Sequence, residues 1–343
     1  MKKSLFVLFS VLVVSVMVLA ACTTPTAAPT AAPTKPPTAI PPTPEPTAIP
    51  FETCGTPENP CVITFVPSAE VGKITTAGQG IADWLQAETG LYFQIEVGTS
   101  FAASIEAMGA KKAQIGFLNT FSVLLADAKY GIDPALASVR KLAVNELSPD
   151  KDLVGTMQPY YRGQFITRVE TGITSLADLK GKTFCFVDPN STSGYIIPNI
   201  VMKANGIDAE AGDVTATMAG SHPNVGVAVY KGDCDAGVTY IDIRTDAAAK
   251  LFETYPDIME KVVVFYTTDI IPNDGIQFIP NFDPELRATI VAAFLKLSED
   301  EAGKVLLKDL YSINGLVEIE PDFYDEFAAT MIAAGVDPAS LVK

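Results

Sequence analysis

From residue 62 onward the chain repeats one arrangement: a short apolar run, then a segment with apolar residues at helical spacing. Residues 62–66 (VITFV) read as a buried strand, 80–88 (GIADWLQAE) as a helix and 91–97 as an alternating strand. Helices over 101–110 and 122–130 flank a strand at 114–118. Strands alternating with helices at this spacing predict an α/β fold with a mostly parallel sheet. The pattern restarts after a strand at 164–169. A short helix at 175–179 leads to strands at 183–187, 214–218 and 236–240, separated by helices at 193–205 and 225–231, with a further helix at 245–255. Strands at 262–266 and 275–279 follow. The closing helices, 284–298, 302–310 and 323–334, have no strands of their own and are expected to pack back on the first unit. The chain would then cross between two lobes twice, near 161–169 and near 266–275. That makes a two-strand hinge with a cleft between the lobes. Ligands of open α/β sheets bind beyond the carboxyl ends of the strands.

The N-terminus is of another kind. Lys2 and Lys3 precede an uncharged apolar run over residues 5–19, and Leu19-Ala20-Ala21-Cys22 follows. This is the layout of a secretory signal. The run is short for a membrane span, which needs about 20 residues. Leu-Ala-Ala-Cys resembles the lipobox of bacterial lipoproteins, which implies a diacylglyceryl group on Cys22. Residues 1–21 are thus expected as a signal peptide. Residues 22–50, almost all Thr, Pro, Ala and Ile after the cysteine, carry no periodic apolar face and read as an extended tether. Polyproline-like chain of this length spans roughly 85 Å.

About 290 residues remain, enough for two ordinary lobes. The formal net charge of −16 lacks basic clusters, which argues against a nucleic-acid partner. It also offers an anion no long-range attraction, so local donors would have to bind it. Setting Cys22 aside leaves Cys54, Cys61, Cys185 and Cys234. Four cysteines in an oxidising compartment allow three pairings. Cys54 with Cys61 closes a small loop and is favoured, leaving Cys185 with Cys234. Loop entropy would contribute roughly 2.5 and roughly 4 kcal/mol for these closures. One histidine and no CxxC spacing exclude a zinc site of ordinary pattern.

The segment Asp188-Pro189-Asn190-Ser191-Thr192-Ser193-Gly194 lies between a predicted strand and a predicted helix. The first N–H groups of a helix lack internal partners, and its dipole favours negative charge there. An oxyanion fits such an end, and three consecutive hydroxyls add neutral donors. A Ser or Thr at this place also serves as a simple helix cap. There is no Walker lysine, so this is not a nucleotide P-loop.

Residues 175–197 (SLADLKGKTFCFVDPNSTSGYII) closely resemble the phosphate/phosphite/phosphonate-binding proteins of ABC transporters. Weaker matches follow in the same order. These are the segment 101–108 (FAASIEAM), Gly220-Ser221-His222, the 231–236 turn (KGDCDA), and Ile270-Ile271-Pro272-Asn273-Asp274. The resemblance covers about residues 62–293. It implies a two-lobed type II periplasmic-binding-protein fold, with lobe 1 formed by 51–163 and 269–343 and lobe 2 by 164–268. It also implies a small phosphorus oxyanion as ligand, an ABC permease as partner, no cofactor and no enzymatic activity. The protein would be an extracytoplasmic monomer held to the membrane through its lipid.

Carried over residue by residue, Ser191, Thr192, Ser193 and Gly194 match the phosphoryl cradle, and His222 a histidine touching the same group. Asp242 matches an acidic pocket residue, and Asp274 the aspartate after Ile-Pro. Helix capping by Asp242 and an Asn-Asp-Gly turn at Asp274 are the alternatives. Where aminophosphonate-binding members place first-lobe tyrosines, this chain has Phe101 and Leu118. The expected ligand is therefore phosphite, an alkylphosphonate or phosphate. Three other readings stay open: another anion such as a sulfonate or carboxylate, a sensing role, and a hydrolase built on Ser193, His222 and Asp242. The last lacks a Gly-x-Ser-x-Gly elbow.

Overall fold

The computed structural model describes residues 50–341. The signal 1–21, the lipobox ending at Cys22 and the tether up to residue 49 lie outside the described residues. In chain order the elements are β1 (Cys61–Phe65), α1 (Val71–Thr89), β2 (Phe93–Val97), α2 (Phe101–Gly109), β3 (Ile115–Phe117), α3 (Thr120–Tyr130), β4 (Asp133–Lys141) and β5 (Met157–Gln158). Then come β6 (Tyr160–Arg168), β7 (Thr183–Phe186), α4 (Ile197–Ala204), β8 (Thr215–Met218), α5 (His222–Lys231), β9 (Ala236–Tyr240), α6 (Leu251–Thr254), α7 (Ile258–Lys261) and β10 (Val262–Pro272). The chain ends with β11 (Gly275–Phe278), α8 (Pro284–Glu299), α9 (Glu301–Tyr311), β12 (Gly315–Glu318) and α10 (Asp325–Ala333).

Among the described residues the strands form two sheets. One runs β12-β4-β11-β3-β1-β2 with β5 on β4, and the other β10-β6-β9-β7-β8. Each sheet is mixed rather than mostly parallel. β1 pairs parallel with β2 and β3, while β11, β4, β12 and β5 pair antiparallel. In the second sheet β7 is parallel to β8 and β9, and β6 and β10 are antiparallel. The reversal follows from the crossings: β6 enters the second sheet beside the returning β10, with Tyr161 opposite Ile271 and Arg168 opposite Val262. Asn273 anchors the return by donating from Nδ2 to the Ser138 and Gln158 carbonyls at 2.9 and 3.0 Å.

Three further expectations need correction. A strand at Asp133–Lys141 was not anticipated, because Asp-Pro followed by alanines has low strand propensity; its place between β11 and β12 imposes the conformation. The C-terminal helices do have a strand, β12, which pairs with β4. The helix expected over 245–255 shrinks to α6, because residues 241–247 turn back to present their carboxylates to the cleft.

Each sheet has an aromatic core. α1 buries Ile74, Ala77, Ile81 and Leu85 at helical spacing. Phe65 and Phe117 stack with ring centres 4.9 Å apart, and Phe294 of α8 meets Phe117 edge-on at 5.7 Å. Each such ring contributes about 1.5–3 kcal/mol by leaving water. In the second sheet Phe184 and Phe186, two apart on β7, share one face, with Phe165 of β6 packed against Phe184. Cys185 therefore points to the other face, where it bonds Cys234. Cys54 bonds Cys61, so the favoured pairing is the one formed. Gly275 opens β11 where any Cβ would collide with the Leu136 carbonyl. Only glycine lets β11 sit between β3 and β4 there.

Candidate functional site

The parallel strands of both sheets end on one cleft. β1 leads to Ser68, β2 to Phe101, β3 to Asn119, β7 to the hydroxyl segment, β8 to His222 and β9 to Asp242; each of these lines a cavity of about 360 Å³. The antiparallel strand β4 adds Arg140, and the β6–β10 ribbon adds Tyr161 and, just beyond β10, Asp274.

At the end of β7 the chain turns through Asp188–Asn190 into a wide π-type turn, Thr192–Ile196, before α4 begins with Pro198 in its first turn. The proline lacks an N–H, which the first helical turn tolerates. Ser191 caps this turn, its Oγ accepting the Gly194 N–H at 3.2 Å. Gly194 itself does not line the cavity. A Cβ there would run into Val187 and the Ser191 hydroxyl, so its smallness lets the turn fold tightly on β7.

His222 opens α5 and is almost fully buried. Its Nδ1 accepts the Tyr240 N–H at 3.1 Å, which places the ring proton on Nε2. That nitrogen lies 3.4 Å from Ser191 Oγ. Burial pushes the imidazole down to about 3, so the ring is a neutral donor at ordinary pH. Ser191 Oγ then accepts from both Gly194 and His222, and its own proton is left for the cavity. Thr192 is in the same position. Its Oγ1 accepts Asn119 Nδ2 and the Phe121 N–H, each at 2.8 Å. Ser193 Oγ accepts the Tyr161 hydroxyl at 3.4 Å, and burial pushes that phenol up to about 12. The cradle is thus a set of three neutral hydroxyl donors, each oriented by its own neighbours.

The carboxylates differ from one another. Asp274 accepts Arg140 Nη2 at 2.8 Å and Ser138 Oγ at 2.9 Å. Both bonds fall on Oδ1, and the residue still lines the cavity. Asp246 takes donors from Tyr240 Oη, Ala248 N, Ala249 N and Ser312 Oγ. Asp242 has no such set. Burial, then the Asp246 charge, push its carboxyl up to about 7. It can therefore hold or release a proton near neutrality.

Phe101, the first residue of α2, forms an apolar wall as expected. Leu118 does not line the cavity: it is fully buried, its N–H donating to Gln277 Oε1 at 3.0 Å. The next residue, Asn119, faces the cleft instead. Sequence reasoning missed Asn119, Arg140, Tyr161, Tyr240, Asp246 and Tyr311. Tyr161 sits in the crossing segment that the hinge argument had marked. Arg140 carried no signal because its strand carried none. The triad imagined for Ser193, His222 and Asp242 is not assembled, since His222 meets Ser191 and its Nδ1 accepts an amide proton. An imidazole protonated on Nε2 cannot take a serine proton there.

The family described as the periplasmic substrate-binding proteins of phosphonate ABC transporters matches residues 63–324. The phosphate-import protein PhnD of Mycolicibacterium smegmatis is 27% identical over 193 residues, 54% of this chain and 56% of that protein. The chain spans about half the length of the curated relatives it matches. A binding-protein component of an ABC phosphonate transporter from Pseudomonas aeruginosa superposes with a TM-score of 0.66 at 20% identity, covering 81% of this chain and 87% of the other. PhnD1 of Prochlorococcus marinus, solved with methylphosphonate, gives 0.63 at 15% identity, covering 80% and 98%. These structural likenesses establish the two-lobed α/β fold, and with the match over residues 63–324 the chain belongs to the phosphonate ABC transporter periplasmic substrate-binding protein family.

Proposed function

We propose that this protein is the extracytoplasmic receptor of an ABC importer and closes its lobes on a small phosphorus oxyanion: phosphite, an alkylphosphonate or phosphate. The observation that carries the reading is the cradle itself. Ser191 and Thr192 each have both acceptor sites filled by protein donors, so their protons point to a bound oxygen. The Ser193 hydroxyl, which accepts the Tyr161 proton, completes a set of three hydroxyl donors that suits a tetrahedral oxyanion, with neutral His222 holding Ser191 in its donor role. Three carboxyls, Asp242, Asp246 and Asp274, line the cavity beside Arg140, Lys141 and Lys308, so an anion gains little from net charge. Asp242, when ionised, then favours a ligand that brings its own proton. A P–O–H group can donate to it, whereas sulfate at neutral pH has nothing to donate. Phe101 in the wall favours hydrogen or a short alkyl group on phosphorus over an aminoalkyl arm. The lobes are proposed to move as bodies bounded near residues 163 and 268.

Calorimetry on the folded part, titrated with phosphite, methylphosphonate, 2-aminoethylphosphonate, phosphate and sulfate, tests this. Binding of phosphite or methylphosphonate with sulfate silent is the expected result. Tight 2-aminoethylphosphonate binding without phosphite binding would overturn the ligand choice.

The receptor is further proposed to be tethered by lipid on Cys22. No helix among the described residues is long and apolar enough to cross a membrane. In cells expressing the full chain, Cys22→Ala should move the protein from the membrane fraction to the soluble extracytoplasmic fraction. Unchanged membrane retention would discard the lipid anchor.

A further inference from the structure

Asn119 stands at the N-cap position of α3, where asparagine normally accepts a hydrogen bond from the second or third amide of its own helix. Here its side chain makes no capping bond. Both amide protons instead cross the cleft, to the Asn190 carbonyl at 2.9 Å and to Thr192 Oγ1 at 2.8 Å. The Asn190 carbonyl can only accept, which fixes which amide atom is nitrogen. The α3 amide left open, Phe121 N–H, is bonded by Thr192 Oγ1 from the opposite lobe at 2.8 Å. Thr192 therefore caps α3 across the cleft, in place of the residue that stands next to it in sequence.

We infer that Asn119 is a positioning residue that couples lobe closure to oxyanion binding through the Thr192 hydroxyl. The inference rests on the receptor reading above. Thr192 Oγ1 has two acceptor sites and one proton. With the lobes together, Asn119 and the α3 amide occupy both acceptor sites, and among the described residues the proton meets no acceptor. It is turned into a donor toward the cavity. With the lobes apart, both donors leave and the hydroxyl rotates freely between donor and acceptor roles. A ligand oxygen that takes the Thr192 proton thus favours the arrangement in which Asn119 and α3 hold the oxygen. Closure in turn strengthens the donor, because hydrogen bonds in a chain polarise one another. The positive end of the α3 dipole also lies beside the site only when the lobes are joined. Nothing comparable binds Ser191, whose two donors, Gly194 and His222, both belong to its own lobe. Thr192 is the cradle hydroxyl with both acceptor sites filled from the other lobe; Ser193 takes one such bond, from Tyr161 of the crossing segment at 3.4 Å.

A double-mutant cycle tests this. Asn119→Ser puts at the N-cap a residue that can cap α3 itself, which offsets the lost bonds across the cleft, so the variant is expected to melt close to the parent. Methylphosphonate affinity in Asn119→Ser should fall about ten- to hundredfold, the scale of one hydrogen bond to a charged group. Thr192→Val should lose a similar factor. In the Thr192→Val background, Asn119→Ser should lose less than about threefold more, because contacting residues in one network are non-additive. Losses that multiply in full would overturn the inference, since Asn119 would then act independently of Thr192. A second arm needs no ligand: small-angle scattering should show a larger radius of gyration for Asn119→Ser than for the parent. Identical scattering would overturn the closure role. A parent protein silent to every phosphorus oxyanion would instead overturn the receptor reading, and the scattering arm alone would then decide the latch.

Discussion

In a thermal-melting series across pH, Asp242→Asn and His222→Gln should tilt the stability profile in opposite directions. Asp242 titrates near 3.8 when free and at about 7 in the fold. Between those values the folded state holds a proton that the unfolded chain has lost. Its contribution is fully present below about 4 and is lost as pH rises through about 7. The difference amounts to something on the order of 4 kcal/mol. His222 has the reverse sense. It titrates near 6.5 when free and at about 3 when buried. Here the unfolded chain binds the extra proton, so stability is present above about 6.5 and is lost as pH falls toward 3. The magnitude is similar, on the order of 4–5 kcal/mol. The two windows overlap between about pH 4 and 6.5, so the parent protein should be nearly flat there. Asp242→Asn removes one slope and leaves stability falling on the acid side. His222→Gln leaves stability falling toward neutrality. Parallel profiles for the two variants would show that neither group is buried as described.

The Arg140–Asp274 pair is the second place where a single change should be large. Each side chain is about one-fifth exposed, at 19% and 24%. Arg140→Met leaves the Asp274 carboxylate in the cavity with only Ser138 to satisfy it. Breaking a fully buried pair costs about 3–5 kcal/mol, and the partial exposure here reduces that to about 2–3 kcal/mol. Methylphosphonate affinity should drop by at least about a hundredfold, because an unpaired carboxylate then faces the anion. Adding Asp274→Asn should restore most of the stability and part of the affinity, since the interior charge returns to that of the parent. Melting and calorimetry on the two singles and the double check this. Arg140→Met with native stability and native affinity would remove the pair from any account of the site.

Much of the site was legible because it rests on local rules. Three hydroxyls between a strand and a helix, with a glycine after them, mark a helix start that would suit an anion. His222 opens the helix after β8, and Asp242 follows β9. A reader who knows that ligands gather beyond strand ends can place both. The two α/β units and the double crossing followed from the order of apolar runs alone. What the sequence could not carry was anything set by pairing between distant segments. Strand β4 has alanines where a strand former would stand. It is a strand because β11 and β12 hydrogen-bond it on both sides, and Arg140 came into the cavity with it. The Asn273–Asp274–Gly275 turn signal was present, yet the arginine that pairs with Asp274 came with that same strand.

The chain by itself determined its class, favoured the cysteine pairing that forms and marked the hydroxyl segment at the end of β7, because those depend on periodicity, loop closure and helix-end electrostatics. Only the tertiary structure decided which carboxyl keeps a proton, which tautomer His222 adopts and which asparagine caps across the cleft. Each of these turns on contacts between residues far apart in sequence, and on burial that no single segment creates.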